Sequence, residues 1–312
     1  MTPLVGRALG AAAGYAIDRT FGEPPNAVHP MVAVGNGLTH LEHSLYQDRR
    51  VNGAAHVACA LGAAAVLGWG LRSLMGPFAS TTLSVAVCSS SKMLGDTALD
   101  VAAALETEGL EEGRRQLRSL VGRDPSTLDE TEISRAVVES VAENTVDGVT
   151  ATLLGAVVGG PSAVLVHRVT NTLDAMVGHR NKRYQNFGWA SARLDDALNW
   201  VPARLTAVAI AIAAPGRASH VLAVVKRDGA KHPSPNGGRV EAAVAGALDI
   251  TLGGTNDYGG TLEVRGPLGN GRAPRRCDIA PAVNLTRRAS DLIALAGVGL
   301  TALITVERRR RR

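Results

Sequence analysis

Long stretches without a charged residue govern how this chain of 312 residues can fold. Three of them, residues 51–71, 73–91 and 148–166, lie between charged side chains. A bilayer core of about 30 Å is crossed by roughly 20 apolar residues in an α-helix. Shorter candidates follow at residues 205–215 and 292–306. The pattern predicts a multi-pass membrane protein with about four to six spanning helices.

The apolar content consists mainly of small and aliphatic residues, since aromatic residues make up only 3% of the chain and glycine occurs 35 times. Small residues let helices pack closely in lipid, which offers no hydrophobic force between helices. The predicted fold class is all-α: a polytopic membrane helical bundle with extramembrane amphipathic helices and polar loops. A soluble, all-helical core is the alternative interpretation, because Ala-rich helices are only weakly apolar.

The domain organisation follows from where polar residues concentrate. We expect residues 1–312 to form a single integral membrane domain. A polar helical insertion is predicted at about 96–147, where Glu and Arg alternate with Leu in an amphipathic pattern. A polar loop region is predicted at about 226–286, and few segments of the chain are typical of strands.

The net charge of +5 comes from the end of the chain and does not indicate nucleic-acid binding. The last five residues, 308–312, are all Arg and equal the whole excess of positive charge. No nucleic-acid motif accompanies them, and aromatic residues for base stacking are scarce, so nucleic acid is excluded as a partner. Under the positive-inside rule the Arg run predicts a cytoplasmic C-terminus in the cell membrane. A disordered basic end is the other interpretation of this run.

The first polar constellation precedes the apolar stretch at 148–166. Glu139, Glu143 and Asp147 are spaced four residues apart and share one face of a helix. Such a row of like charges favours a cation, either a metal or a basic partner. For Glu139 alone a solvated helix face is the preferred interpretation. Asn144 and Asp147 lie next to the apolar stretch, where a polar group is costly unless it is used.

Two further constellations pair carboxylates with amides at helix ends. Asn171 and Asp174 precede a basic segment at 180–183, and oxygen ligands beside Arg suit a metal-bound phosphate. Cations near the negative end of a helix dipole are the alternative. Asp195 and Asp196 stand just before another apolar stretch. Paired carboxylates in this position are typical of divalent-metal sites that hold diphosphates.

Polar loops supply the remaining candidates. Residues 226–238 combine Lys231, His232 and Ser234 with two Pro and a Gly pair, a composition that favours an ordered turn able to bind an anion. Near the N-terminus His29 precedes Pro30, where a lone His is more often structural. The segment 253–260 is rich in Gly but contains no Walker or dinucleotide-binding motif.

Together these segments resemble the CobD/CbiB family of cobalamin biosynthesis proteins, over most of the chain. Several ordered motifs of this length are far more specific than any one of them. The segments that carry the resemblance are 18–30 (D-x-x-x-G-E-P, then H-P), 143–148 (ENTVDG), 171–184 (beginning NTLD), 187–204 (FGWA and RLDD), 227–236 (RD and KHPSPN) and the Gly253-Gly254 turn.

The resemblance implies an integral membrane enzyme of the corrinoid pathway. Such an enzyme joins aminopropanol, or its O-phosphate, to the f-propionate carboxyl of (adenosyl)cobyric acid, which gives cobinamide or its phosphate. The family reaction is ATP-dependent amide formation, so the resemblance implies an acid–amine ligase with ATP and Mg²⁺ as cofactors. The implied partners are these substrates and the lipid bilayer, together with other enzymes of the cobalamin pathway.

Roles can be assigned within that chemistry, because Mg²⁺ and basic side chains stabilise phosphoryl charge while a carboxylate is activated for amine attack. A neutral His232 is expected to remove the amine proton. The candidate catalytic residues are His232, Lys231 and Asp174. The candidate metal ligands are Asn144, Asp147, Asn171, Asp174, Asp195 and Asp196. The candidate substrate- and phosphate-binding residues are Arg180, Asn181, Arg183, Lys231, Ser234, Asn236 and His29.

Three other functions fit parts of the pattern. A Mg²⁺-dependent membrane prenyltransferase would also use paired Asn and Asp residues at helix ends, without ATP. A transporter would carry buried carboxylates along its pathway, although no internal repeat is visible. A non-catalytic membrane scaffold would support other enzymes of the pathway. The sequence leaves open whether the free amino alcohol or its phosphate is the substrate.

Overall fold

The computed structural model describes residues 2–25, 27–122, 124–179, 181–258 and 261–311. It is mostly helical, which confirms the all-α fold class, and one β-hairpin interrupts the helices. The elements are α1 (Pro3–Phe21), α2 (Pro30–Leu45), α3 (Arg50–Cys88), α4 (Ser91–Thr107), α5 (Leu110–Leu117), α6 (Glu130–Thr145), α7 (Ala151–Gly159), α8 (Pro161–Val177), α9 (Trp189–Leu198), α10 (Trp200–Ala213), α11 (Ala218–Asp228), α12 (Gly237–Leu248), β1 (Leu252–Tyr258), β2 (Thr261–Leu268) and α13 (Ile279–Arg310).

The chain divides into two compact units. The first comprises Met1–Ser90, Asp147–Asn199 and Ala294–Arg312, and the second comprises Ser91–Val146 and Trp200–Ile293. The single domain expected from the sequence stays a prediction.

The first unit is built around α3. Its apolar core joins α2, α3 and α8 through Leu38, Val57, Ala60, Ala64, Val169 and Leu173. Helix α1 packs against the C-terminal part of α3 at very short range. A Cβ atom on Gly10 would lie 2.6 Å from the carbonyl oxygen of Phe78, and one on Gly14 would lie 2.5 Å from that of Thr82. The small residues of α1 therefore allow a direct helix–backbone contact.

Helix α3 contains a sharp break. Gly76 has φ +74° and ψ 172°, and Pro77 follows it, so residues 50–75 and 77–88 form two helical segments. Proline removes a backbone donor and restricts the residue before it, while glycine adopts positive φ at no steric cost. The Gly-Pro pair is thus the local cause of the break.

Two helical segments, Arg50–Thr107 and Arg276–Arg308, are long and apolar enough to cross a membrane among the described residues. A third span results if Trp189–Ala213 and Pro215–Asp228, which meet at 103°, act as one broken span. This is fewer than the four to six spans expected from the sequence. The stretch 148–166 is divided by a π-helical turn (Val146–Thr150) and by Gly160, at φ +70°, so neither piece is long enough.

The second unit begins with the polar insertion that the sequence predicts, which forms α4, α5 and α6. Asp129 caps α6 by accepting a hydrogen bond from the backbone of Glu132 (2.8 Å), whose side chain accepts one from the Asp129 backbone in return. This capping box satisfies two donors that a helix start leaves free. Most of α6 is then buried, including the charged Arg135 and Glu139.

The region predicted as polar loops at 226–286 contains more regular structure than expected. Helix α12 and the antiparallel pair β1–β2 lie within it, and the register pairs Leu252 with Leu268 and Gly254 with Arg265. Gly253 and Gly254 have positive φ and interrupt the ladder as a bulge. The glycine-rich composition conceals the strand signal, because glycine is depleted in ordinary strands.

Candidate functional site

Four of the predicted metal ligands come together in the first unit, where α8 contacts α9. Asn171 and Asp174 lie one turn apart on α8. The side chain of Asn171 lies beside the carboxylate of Asp195 on α9. Asn199, which is buried, donates to the same carboxylate at 3.0 Å. The two helices therefore bring carboxylate and amide groups together, with the ligand atoms of Asp174, Asp195 and Asp196 not all within 4.8 Å of one another.

The carboxylates of this cluster are close enough to affect one another. Burial raises the pKa of Asp174, and the charge of Asp196 raises it further. The Oδ1 atom of Asp195 is buried and has no hydrogen-bond partner among the described residues. A cation between these groups would offset both the repulsion and the missing hydrogen bond.

The donor set fits Mg²⁺, because hard divalent cations take carboxylate and amide oxygens as ligands. Asn171, Asp174, Asp195 and Asp196 supply such oxygens from two rigid helices. Gly178, where α8 ends, contributes through its size: a Cβ atom there would overlap the Asp174 carboxylate. The helix end is thus shaped around that side chain.

The other two predicted ligands are placed differently. Asn144 is exposed, belongs to the second unit, and donates to the carbonyl and hydroxyl oxygens of Ser140 (2.9 and 3.0 Å). Asp147 is half-buried on the π-helical turn of the first unit. Such turns are frequent at functional sites. Only the four residues on α8 and α9 are carried into the metal site proposed below.

In residues 181–184, which follow α8, the side chain of Arg183 is held in place by its neighbours. Arg183 donates to the carboxylate of Glu42 (3.0 Å), and its guanidinium lies 4.3 Å from the ring centre of Tyr46. Asn181 accepts a hydrogen bond from the backbone of Tyr184 (2.9 Å). The predicted Arg180 lies outside the described residues.

The N-terminal motif forms a second polar cluster in the same unit. His29 caps α2, since its Nδ1 accepts a hydrogen bond from the backbone of Met31 (3.1 Å), and its Nε2 lies 3.3 Å from Glu23. Asp18 is fully buried and accepts a hydrogen bond from Ser89 (2.8 Å). Burial raises the pKa of Glu23, and burial lowers that of His29.

In the second unit, the loop between α11 and α12 is organised by its own polar groups. Lys231 forms an ion pair with Asp228 (2.6 Å). The hydroxyl oxygen of Ser234 accepts hydrogen bonds from the backbones of Asn236 and Gly237 (3.2 and 3.1 Å). Ser234 therefore fixes the turn, while the amino group of Lys231 is held at the surface by a buried carboxylate.

His232 in this loop faces two carboxylates. Its Nε2 lies 3.4 Å from Glu241 on α12 and 3.7 Å from Glu143 on α6. In the sequence, the spacing of Glu143 predicts a charged helix face, whereas no pattern there predicts a role for Glu241. The available signal was a single acidic residue within the apolar run of α12. Its partner on α6 lies about a hundred residues earlier in the chain, so spacing alone could not connect the two.

These observations define a class: a helical protein with two or three candidate membrane spans and buried carboxylate clusters. The family model described as CobD/Cbib protein matches residues 11–286. The chain belongs to this family.

The similar proteins are full-length relatives. The cobalamin biosynthesis protein CobD of Mycobacterium tuberculosis is 43% identical over 310 residues, which cover 97% of each chain. That of Geobacter metallireducens is 40% identical over 305 residues, 93% of this chain and 95% of the relative. That of Halalkalibacterium halodurans is 40% identical over 294 residues, 90% and 92% respectively. No solved structure matches the chain.

Proposed function

We propose that this chain is an ATP-dependent acid–amine ligase of cobalamin biosynthesis. It joins aminopropanol or aminopropanol phosphate to the f-propionate carboxyl of cobyric acid. The names of its relatives and the match over nearly their full length support the pathway. The observation that carries the chemistry is the Asp195 carboxylate, whose buried Oδ1 has no hydrogen-bond partner in the described chain.

The chemical problem is that a carboxylate resists attack by an amine. Its negative charge and resonance must be overcome, which phosphorylation achieves by supplying a leaving group. Bound Mg²⁺ would stabilise the negative charge of the phosphoryl oxygens. Asp174, Asp195 and Asp196 would hold the ion, and Asn171 would fix the orientation of Asp195. Their placement on two packed helices keeps the ligand geometry rigid.

Anion binding in the first unit is assigned to the segment after α8. The guanidinium of Arg183 is half-exposed, and Glu42 and Tyr46 orient it before any substrate arrives. A pre-positioned guanidinium loses little entropy when it binds a phosphate or carboxylate. Arg180, Asn181 and His29 are proposed as further substrate contacts.

The second unit contributes Lys231, His232, Ser234 and Asn236 to the proposal. Lys231 offers a positive charge to an anionic substrate group, and Ser234 keeps the loop in shape. The Nδ1 of His232 accepts a hydrogen bond from the backbone of Ser234 (3.0 Å), so its neutral ring carries the proton on Nε2. We therefore give His232 an orienting role in place of the proton-accepting role expected from the sequence.

The proposed location is the cell membrane, crossed several times, with the C-terminus in the cytoplasm. Most residues in the most apolar stretches of the two candidate spans are not buried within the protein. An exposed apolar surface of this extent is stable where it is in contact with lipid. We propose other enzymes of the cobalamin pathway as partners at this surface.

The test is an assay with the purified full chain in detergent. The protein is incubated with cobyric acid, ATP and Mg²⁺, and with either aminopropanol or its phosphate, while the corrinoid mass is followed. We expect the mass of the amide with one of the two amines, and none when ATP is omitted. Product formed without any nucleotide would contradict the ligase mechanism.

The metal site is tested separately by binding of Mn²⁺ as a paramagnetic substitute for Mg²⁺. We expect Asp195→Asn and Asp174→Asn to weaken Mn²⁺ binding at least tenfold and to abolish amide formation. Asp100→Asn, at an exposed position on α4, serves as the control and should bind as the unmodified protein does. Full activity in both cluster variants would remove the metal proposal.

A further inference from the structure

Glu241 is the most unusual ionisable residue of the second unit. Its side chain is 0% exposed, and no N–H or hydroxyl group of the described residues donates a hydrogen bond to either carboxylate oxygen, whose neighbour is the carboxyl group of Glu143. The nearest guanidinium, that of Arg265, lies only at 4.0 Å. A buried carboxylate that accepts no hydrogen bond from an N–H or O–H group is costly for folding. A residue of this kind therefore indicates a site that binds a ligand.

A second carboxylate and an imidazole complete the surroundings. Ligand atoms of Glu143, His232 and Glu241 all lie within 4.8 Å of one another. Burial raises the pKa of Glu241 well above its ordinary value, and the charges of Glu143 and Glu139 raise it further. The side chain of Glu143 is 35% exposed, so the cluster opens to its surroundings on that side.

The imidazole argues against a metal ion in this cluster. Because Nδ1 of His232 accepts the Ser234 N–H, the proton of the neutral ring is on Nε2, which faces both carboxylates. A nitrogen that carries a proton donates hydrogen bonds and does not ligate a metal. The cluster therefore offers two carboxylates and one N–H donor.

The charge balance indicates a ligand with a single positive charge. On α6, Arg135 lies 3.5 Å from Glu139, and Glu139 also accepts a hydrogen bond from the backbone of Gly253 (2.8 Å). Arg265 is the other guanidinium near the cluster. Among the described residues, three carboxyl groups, those of Glu139, Glu143 and Glu241, thus face two guanidinium groups and an imidazole. When all three are ionised and the imidazole is neutral, one negative charge is left over, and either a proton on Glu241 or a cationic ligand balances it.

We propose that Glu241 and Glu143 bind the ammonium group of a primary amine. This inference rests on the proposed function, since the amine is the one that the ligase reaction consumes. An ammonium group has the required single charge and several N–H donors for the carboxylate oxygens. The Nε2–H of His232 faces both carboxylates, 3.4 Å from Glu241 and 3.7 Å from Glu143, and so limits the positions that they can take.

The cluster also provides an acceptor for the proton that the ammonium group must lose before the amine attacks the carboxyl carbon. One N–H proton of the ammonium passes to the Glu241 carboxylate. The products are a neutral amine with a free electron pair and a neutral carboxylic acid, so charge is conserved. The buried position of Glu241 favours its neutral form and thereby this transfer.

The experiment measures binding by calorimetry with the full chain in detergent, without nucleotide or corrinoid. The probe is 1-aminopropan-2-ol, and propane-1,2-diol is the uncharged control. We expect the amine to bind and the diol not to bind. Glu241→Gln and Glu143→Gln should each weaken amine binding at least tenfold. Glu130→Gln, at the exposed start of α6, should leave it unchanged.

Two results would overturn the inference. The first is amine binding by both cluster variants with the same affinity as the unmodified protein. Glu143→Gln decides this point, because Glu143 is half-exposed and its replacement should not cause misfolding. The second is tight Zn²⁺ binding that requires Glu241 while the amine does not bind. If the unmodified protein forms the amide but the variants bind the amine normally, only this inference fails. If no amide forms but amine binding requires Glu241, the ligase proposal fails instead.

Discussion

Gly53 and Gly62 lie on the same helix, α3, in opposite environments. A Cβ atom at residue 53 would overlap the carbonyl oxygen of Phe187, whereas one at residue 62 would meet no atom within 4 Å. We expect Gly53→Ala to destabilise the protein by about 1–3 kcal/mol, because a rigid backbone cannot yield to the added methyl group. Thermal or denaturant unfolding in detergent measures the change.

Gly62→Ala is the matched control for that prediction. Alanine has the higher helix propensity, so this variant should be unchanged or more stable by up to about 1 kcal/mol. Equal stability of the two variants would show that α3 and the Phe187 backbone are not in contact.

Which candidate residues could be identified from the sequence depends on local spacing. Asn171 and Asp174 share a helix face because they are three residues apart, and Asp195 follows within a short distance along the chain. The structure brings these side chains together, while their metal-binding role stays a prediction. Glu241 could not be connected to Glu143 in this way. Their proximity results from the packing of α6 and α12, which no local pattern encodes.

At the level of elements, composition predicted helices well and helix ends less well. The charge of Arg72 divides two uncharged stretches in the sequence, but the helix continues past it and breaks only at Gly76 and Pro77. Backbone geometry, rather than charge, determines that position. The β1–β2 hairpin was missed for a related reason, since its bulge is formed by glycines that are ordinarily unfavourable in strands.

The break in α3 can be tested by itself, because no atom lies within 4 Å of the Cβ position of Gly76. We expect Gly76→Ala to cost about 1–3 kcal/mol, because φ +74° with ψ 172° is a backbone conformation that essentially only glycine adopts. Gly70→Ala provides a comparison, since it is equally free of neighbours and lies within the regular helix. A Gly76→Ala protein as stable as Gly70→Ala would indicate that the break straightens in solution.

For the whole molecule, the sequence predicted a membrane protein, and the structure retains two or three candidate spans. The difference from four to six arises because apolar composition does not ensure one continuous helix. Helix α7 has nine residues and is about 14 Å long, which is less than half of a bilayer core.

The orientation in the membrane is predicted by the Arg residues at 308–312. Positive charges next to a spanning helix are retained in the cytoplasm. A C-terminal green fluorescent protein should therefore fluoresce, and a C-terminal alkaline phosphatase should be inactive, in a bacterial host. Replacement of the five Arg by Gln should weaken this preference. An active phosphatase fusion of the unmodified chain would reverse the proposed topology.

The contact of α1 with α3 restricts how this protein can change over time. Where two backbones touch at Gly10 and Gly14, a larger side chain has no room, however apolar it is. Replacement of Gly10 or Gly14 by Leu or Val would add apolar volume, as is done to stabilise a water-soluble core. Here it should push α1 and α3 apart instead. Relatives are accordingly expected to vary freely on the outer face of α1 while admitting only the smallest side chains along its inner line.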